Sequence, residues 1–421
     1  MHFVSTRGHA SPASFAEALF AGLAPDGGLY VPESLARIGF EGFRGASLVE
    51  LGTEIAAHFV AGEVPRLALG RLLAAALDFP VPLIPLEGQT RVLELFHGPT
   101  FAFKDVGARV MARLMAHLNT DERPLTVLVA TSGDTGSAVA QAFFGVAGTQ
   151  VVVLFPEGAV TPVQEAQFTT LGGNVMAVAV AGTFDDCQRL VKEAFANPDL
   201  SADARLTSAN SINLGRLLPQ VFYYAHAAVQ GDKPAVFSVP SGNFGNLTAG
   251  LWAWKLGAPI EGFVAATTIN DTVPRFLDSG RYEPRPSVPT LANAMDVGNP
   301  SNVERMRWLF DDDVAALRAV VTPSVHTDAN VRLAIRDIWT RHGYLADPHT
   351  AIAYLGLSAS TASAEVPRIF LATAHPAKFR DTVEPIIGES VPFPPALAAA
   401  MTRKRVVVRI GPTLAALRAL L

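Results

Sequence analysis

From about residue 90 onward, strand-length apolar runs alternate with helix-length amphipathic ones, and this alternation leaves the chain few folds to choose from. Leu125 to Ala130, Gln150 to Phe155, Asn174 to Val180, Ala235 to Pro240 and Ile260 to Thr267 are rich in Val and Ala. Most lead through a Gly or Ser turn into a helical run, among them Ser137 to Val146, Phe184 to Phe195 and Leu217 to Val229. Such an order implies parallel strands, right-handed crossovers and helices on both faces of each sheet. The expected class is α/β with doubly wound parallel sheets, in which ligands bind at the carboxyl ends of the strands.

Residues 1 to 80 follow another pattern. Ser14 to Leu23, Ser47 to Phe59 and Pro65 to Leu77 show apolar spacings of three and four, separated by turn signals. That predicts a separate, mainly helical N-terminal cap domain. Pro80-Val-Pro-Leu-Ile-Pro85 cannot be helical throughout and marks the boundary. Residues 81–421 form the second region, with a smaller α/β lobe at about 105–215. With 421 residues, 49% hydrophobic and 17% charged, the chain can bury more than one core. A net charge of −5 argues against a nucleic-acid partner. No apolar run is long enough to span a membrane, and Met1-His-Phe-Val lacks signal-peptide regions, so a cytoplasmic protein is expected. Cys187 is the only cysteine, which excludes an intrachain disulfide and a cysteine-based zinc site. No metal is expected, and Cys187 reads as packing in an amphipathic helix.

Chemistry concentrates in the turns. In His97-Gly-Pro-Thr-Phe-Ala-Phe-Lys-Asp105, Lys104 stands beside Phe103 at the entry of the run Val106 to Leu118. Poor solvation there disfavours the ammonium and leaves a nucleophilic amine able to form a Schiff base, although a lone lysine at a helix start is also an ordinary surface residue. Ala130-Thr-Ser-Gly-Asp-Thr-Gly-Ser137 and Pro240-Ser-Gly-Asn-Phe-Gly-Asn-Leu247 each join a strand to a helix. Their glycines, hydroxyls and free helix N–H groups suit anions, and at Gly242 and Gly245 a Cβ is expected to obstruct the nest. An ordinary capped turn is the alternative for the first loop. No Gly-Lys-Ser/Thr follows, which rules out a nucleotide P-loop. Ser208-Ala-Asn-Ser-Ile-Asn-Leu-Gly-Arg216 sets a hydroxyl, an amide and a guanidinium at Ser211, Asn213 and Arg216. The guanidinium fork suits a phosphate, unless Ser and Asn merely cap the helix and Arg216 lies on its wet face.

These segments, with Ala24-Pro-Asp-Gly-Gly-Leu-Tyr-Val-Pro32 near the start, resemble the threonine synthases, a pyridoxal-phosphate (PLP) family of the tryptophan-synthase-β fold type. The resemblance is weakest across Arg281 to Val321 and over the last thirty residues. It implies two α/β lobes with PLP between them (fold type II), and Lys104 as both cofactor anchor and catalytic base. By the same resemblance Gly242, Asn243, Phe244, Gly245 and Asn246 cradle the PLP phosphate, and Thr373 bonds the pyridine nitrogen. Ser132, Gly133 and Thr135 hold the substrate α-carboxylate, while Ser211, Asn213 and Arg216 hold the phosphate of O-phospho-L-homoserine. Many relatives carry Asn at Asp134; a charged Asp would repel the carboxylate, so it is expected turned aside or protonated. His375 and Lys378 follow Thr373 closely and are weaker candidates for touching a phosphate, with ordinary structural positions as the favoured reading. The implied reaction is conversion of O-phospho-L-homoserine and water to L-threonine and phosphate, by a monomer or weak homodimer. A serine or threonine dehydratase of the same fold type, and a non-catalytic homologue that binds PLP or phospho-amino acids, remain alternatives.

Overall fold

The computed structural model describes every residue except Ala61, Ser132, Thr361 and Ala364, and all side chains of the rest but that of Ala202. Two sheets organise it. The larger has six strands in the order Val321–Val325, Ile260–Thr267, Ala235–Pro240, Arg368–Ala372, Thr90–Glu94 and Leu83–Glu87. All its pairings are parallel except the edge hairpin of Leu83–Glu87 with Thr90–Glu94. The smaller sheet runs Val408–Ile410, Val175–Val180, Thr149–Pro156, Leu125–Ala130 and Leu206–Ser208, parallel throughout.

Side-chain alternation shows why these sheets are covered twice. In the small sheet Val127, Val129, Val151, Val153, Ala177 and Ala179 enter the main core. Their neighbours Leu128, Ala130, Val152, Leu154, Val178 and Val180 enter a second core with Cys187 and Leu190 of the helix Phe184–Ala196. Both faces are apolar, so the strands read as continuous hydrophobic runs rather than alternating ones. Cys187 packs there, fully buried.

The cap helices pack into the main core: Phe15, Leu51, Ile55 and Phe59 belong to the same cluster as Phe222, Trp252 and Leu371. Phe59 stacks on Trp252 at 6.0 Å, and a Cβ on Gly52 would come within 2.9 Å of the Phe222 ring. The run Leu217 to Val229 divides into Leu214–Leu217 and Gln220–Ala228, because Pro219 has no N–H to continue the first helix. The small lobe also reaches beyond 105–215, since Val408–Ile410 adds its edge strand from near the C-terminus.

Arg305 fastens the cap to the rest. Fully buried, it donates from Nε to the Tyr30 carbonyl (3.1 Å) and from Nη2 to that of Ile212 (2.6 Å). Its Nη1 reaches Asn302 Oδ1 at 2.8 Å and the Ser211 carbonyl at 3.4 Å. Burial lowers its pKa to about 9, which still leaves the guanidinium charged at neutral pH. Arg305→Met would preserve bulk but strand these acceptors, and it should cost about 3 kcal/mol of stability. Thermal or denaturant unfolding checks this; an unchanged midpoint would mean that the carbonyls find other partners.

Candidate active site

Lys104 opens the helix Lys104–Leu118, and its position is set from both sides. Asp105 folds back to accept the Thr100 N–H (2.9 Å) and hydroxyl (2.6 Å), closing the preceding turn. A Cβ on Gly98 would strike that carboxyl, and Phe101 takes a left-handed φ of 59° to complete the bend. The turn is then stitched to the end of the strand Arg368–Ala372. Phe103 N–H donates to the Thr373 carbonyl at 2.9 Å, His375 N–H to that of Phe101 at 3.0 Å, and Ala102 pairs antiparallel with Ala374. Lys104 and Thr373 thereby become neighbours although far apart in sequence.

The Lys104 side chain is 16% exposed, with Nζ 5.8 Å from the centre of the Phe103 ring. Burial lowers its pKa to about 8; Asp134 opposes the shift, while Lys378 and Arg216 assist it. Asp134 starts the helix Asp134–Phe143. Its carboxylate lies 2.5 Å from Lys378 Nζ and 4.0 Å from Lys104 Nζ, and accepts Gln164 Nε2 at 2.9 Å. Burial works against its charge, but Lys378, Lys104 and those hydrogen bonds prevail and hold it well below the usual carboxylate range. Asp134 is thus held between Lys378 and Gln164, surroundings that favour its charged form. Gly133 has a φ of 153°, and a Cβ there would meet the Gln164 amide at 2.6 Å. Thr135 is partly exposed in the first turn, and Ser132 lies outside the described residues.

The other two segments abut. Asn243 Nδ2 donates to Ser211 Oγ at 2.5 Å, and Asn302 Nδ2 reaches the carbonyls of Asn243 (3.1 Å) and Ser211 (3.4 Å). Arg216 is buried rather than on a wet face: Nη1 donates to the Ala209 carbonyl at 2.6 Å, while Nε has no protein partner. Its carbonyl packs where a Cβ on Gly107 would sit, so that helix must carry glycine at this point. Asn213 does not suit a ligand contact. Its Nδ2 is spent on the carbonyls of Leu19 and Ser208, both at 2.9 Å, and its Oδ1 caps Gly215 N–H. It shapes the loop instead. Both glycines are also crowded by the protein itself: a Cβ on Gly242 would hit the Met295 and Ala294 backbone, and one on Gly245 would press on the Asn302 amide at 3.2 Å.

The helix Gly245–Leu256 begins behind left-handed Phe244 with no side-chain cap, leaving its first N–H groups free for an anion. Asn246, in its first turn, accepts both Tyr223 OH (2.6 Å) and Tyr224 OH (2.7 Å) on Oδ1, while its buried Nδ2 has no protein partner. Two hydroxyls on the oxygen define which end of the amide faces outward: a donor. Sequence reasoning passed over Gln164, Asn302, Arg305 and this tyrosine pair, and over the pairing of Lys378 with Asp134, since each depends on a contact distant in the chain.

The comparisons agree with the geometry. Residues 79–369 match the family model for pyridoxal-phosphate dependent enzymes, residues 2–77 that for the threonine synthase N terminus, and residues 350–421 that for the threonine synthase C-terminal region. The threonine synthase of Serratia marcescens is 45% identical over 405 residues, covering 94% of each chain. The chain belongs to the threonine synthase family. Among solved structures, threonine synthase from Escherichia coli superposes with a TM-score of 0.93 at 41% identity, covering 100% of this chain and 99% of that one. PLP-bound threonine synthase from Brucella melitensis gives 0.94 at 37% identity, covering 100% and 98%. A tomato (Solanum lycopersicum) threonine deaminase at 17% identity and TM-score 0.60 shares the fold alone.

The cofactor of the family fits the residues present: the free Asn246 donor and the uncapped helix suit a phosphate, and Lys104 suits its aldehyde. Replacing both tyrosines (Tyr223→Phe with Tyr224→Phe) would leave Asn246 Oδ1 unpaired and its amide free to turn. Loss of one well-aimed hydrogen bond to a charged group, about 1.5–3 kcal/mol, should weaken PLP binding roughly tenfold to a hundredfold. Absorbance titration of cofactor-free protein measures this, and unchanged affinity would remove Asn246 from the phosphate site.

Proposed function

We propose that this chain converts O-phospho-L-homoserine and water to L-threonine and phosphate with PLP held at Lys104. One observation carries the reading: a buried amine with a depressed pKa stands among anion-binding elements, in a chain that matches this family from end to end. PLP, when bound, supplies an electron sink for negative charge developing on the substrate carbons. Gly242, Asn243, Phe244, Gly245 and Asn246 hold its phosphate and Thr373 its ring nitrogen. A neutral hydroxyl at that place does not force the nitrogen to be protonated.

Lys104 is the group placed to take the proton from the substrate α-carbon, and its pKa of about 8 suits a base working near neutral pH. A second proton leaves Cβ, phosphate departs from Cγ, a proton is added at Cγ, water adds at Cβ and a proton returns to the α-carbon. Gly133 and Thr135 offer donors to the α-carboxylate. Ser211 and Arg216 receive the substrate phosphate, with the unpaired Arg216 Nε as the available donor. Ser211 and Asn243 are hydrogen-bonded to each other, so the residues that would hold the two phosphates adjoin. No helix among the described residues is long and apolar enough to cross a membrane. The reading places the enzyme in the cytoplasm, acting on a small molecule as a monomer or weak homodimer.

Incubation with PLP and O-phospho-L-homoserine, with threonine, phosphate and keto acid assayed separately, tests the activity. Threonine and phosphate in equal amounts are expected; keto acid and ammonia would indicate a dehydratase. Arg216→Ala should remove a buried charge-assisted contact worth roughly 2–5 kcal/mol. That corresponds to a loss of about thirty-fold to several thousand-fold in kcat/KM with PLP affinity nearly unchanged. Arg216→Lys should recover only part, having charge without the planar fork. Loss of PLP with substrate affinity intact would mean that the two phosphate seats are exchanged.

A further inference from the structure

The Asp134–Lys378 ion pair, 2.5 Å long and fully inside the protein, has no place in the roles given above. Asp134 comes from the turn after the small-sheet strand Leu125–Ala130, and Lys378 from the turn after the large-sheet strand Arg368–Ala372. The pair therefore joins the two lobes beside the reactive amine. Lys378 Nζ is fixed further by the Thr100 carbonyl at 3.0 Å, an oxygen that Gln167 Nε2 also binds at 3.0 Å. The second carboxylate oxygen of Asp134 is 4.0 Å from Lys104 Nζ. One carboxylate is thus shared unequally by two lysines, a fixed one that holds it closely and a reactive one farther off. Attraction falls with distance and is weakly screened when buried, so whichever lysine holds the carboxylate influences how readily Lys104 loses its proton. Only the neutral amine attacks a carbonyl.

We propose that Lys378 is a positioning residue that keeps the Asp134 carboxylate away from Lys104, and thereby keeps the Lys104 amine available as a nucleophile. This rests on Lys104 being the cofactor lysine. The charged groups around Lys104 are Asp134 from the small lobe, Lys378 from the large lobe and Arg216 from the segment after Leu206–Ser208. Its chain neighbour Asp105 is turned back on Thr100. The cations acting on Asp134 are Lys378 and Lys104. With Lys378 gone, the carboxylate would have Lys104 as its remaining cation, and a like charge near Lys104 would be lost as well. Both changes favour the ammonium. Closer pairing with an opposite charge shifts a pKa by about one unit or more, so the neutral fraction of Lys104 near pH 7 should fall about tenfold.

The test uses full-length protein freed of cofactor, labelled with acetic anhydride across a pH series, with acetylation of Lys104 read by mass spectrometry. The rate at which the same protein captures added PLP is followed in parallel by visible absorbance. Lys378→Met should move the labelling midpoint of Lys104 up by about one unit or more, and Asp134→Asn should move it down. The combined variant, Lys378→Met with Asp134→Asn, should return close to the wild-type midpoint. It contains no unpaired buried charge, so it remains informative if Lys378→Met alone fails to fold; Asp134→Asn against the double variant then carries the comparison. An unmoved midpoint in Lys378→Met, or a double variant as displaced as a single one, would overturn the proposal. A purely structural pair would lower thermal stability without moving the midpoint, which also overturns it. Labelling that shifts as expected while PLP capture does not follow would uphold the coupling between the lysines and overturn instead the assignment of Lys104 to the cofactor.

Discussion

The antiparallel stitch between Phe101–Phe103 and Thr373–His375 is the constraint on which the site depends. A lysine side chain is long and costly to order, so its amine is useful only when the backbone beneath it is fixed. Here a few backbone hydrogen bonds tie the first turn of the lysine helix to the end of a central strand. Asp105 meets the local demand by satisfying Thr100 and closing the bend. Gly98 and the left-handed Phe101 accept the conformational cost of that bend. Once the stitch is made, Lys104 and Thr373 are held on adjoining backbone.

Around that point, buried polar groups are either fully paired or left open in one direction. Asn213, Arg305 and Gln164 spend their hydrogen bonds within the protein and give the loops their shape. Asn246 Nδ2 and Arg216 Nε keep a donor free, although burial makes an unpaired donor expensive. The same division appears in the helices. Those beginning after Ser14, Ser47, Thr183 and Thr327 are closed by side-chain caps, whereas the one beginning at Gly245 is not. Helix ends without caps expose N–H groups that an anion can satisfy. The free donors and this open helix end suit anions.

Much of this was legible in the sequence because it is local. Strand-length runs of Val and Ala marked Leu125–Ala130, Ala235–Pro240 and Ile260–Thr267 to the residue, since both faces of those strands are buried. Glycine-rich turns marked the anion loops because the backbone there needs freedom or room. What stayed hidden depends on contacts between distant segments. The cap helices are amphipathic by themselves, and nothing local shows that their apolar faces pack on the helices Lys104–Leu118, Gln220–Ala228 and Gly245–Leu256. Asn213 resembled a ligand because an amide carries no sign of which acceptors its fold will supply. The pairing of Lys378 with Asp134 and the bridging by Arg305 were not legible, one made by a short turn across the lobes and the other by the stretch least like the family pattern.

The claim that Lys104 carries the cofactor is tested most directly by reducing the PLP-loaded protein with borohydride, digesting it and locating the pyridoxyl group by mass spectrometry. The expected result is a single modified peptide, with the group on Lys104. Modification of Lys378 instead, or of a lysine outside the cleft, would contradict the account and reverse the roles given to the two lysines that share Asp134.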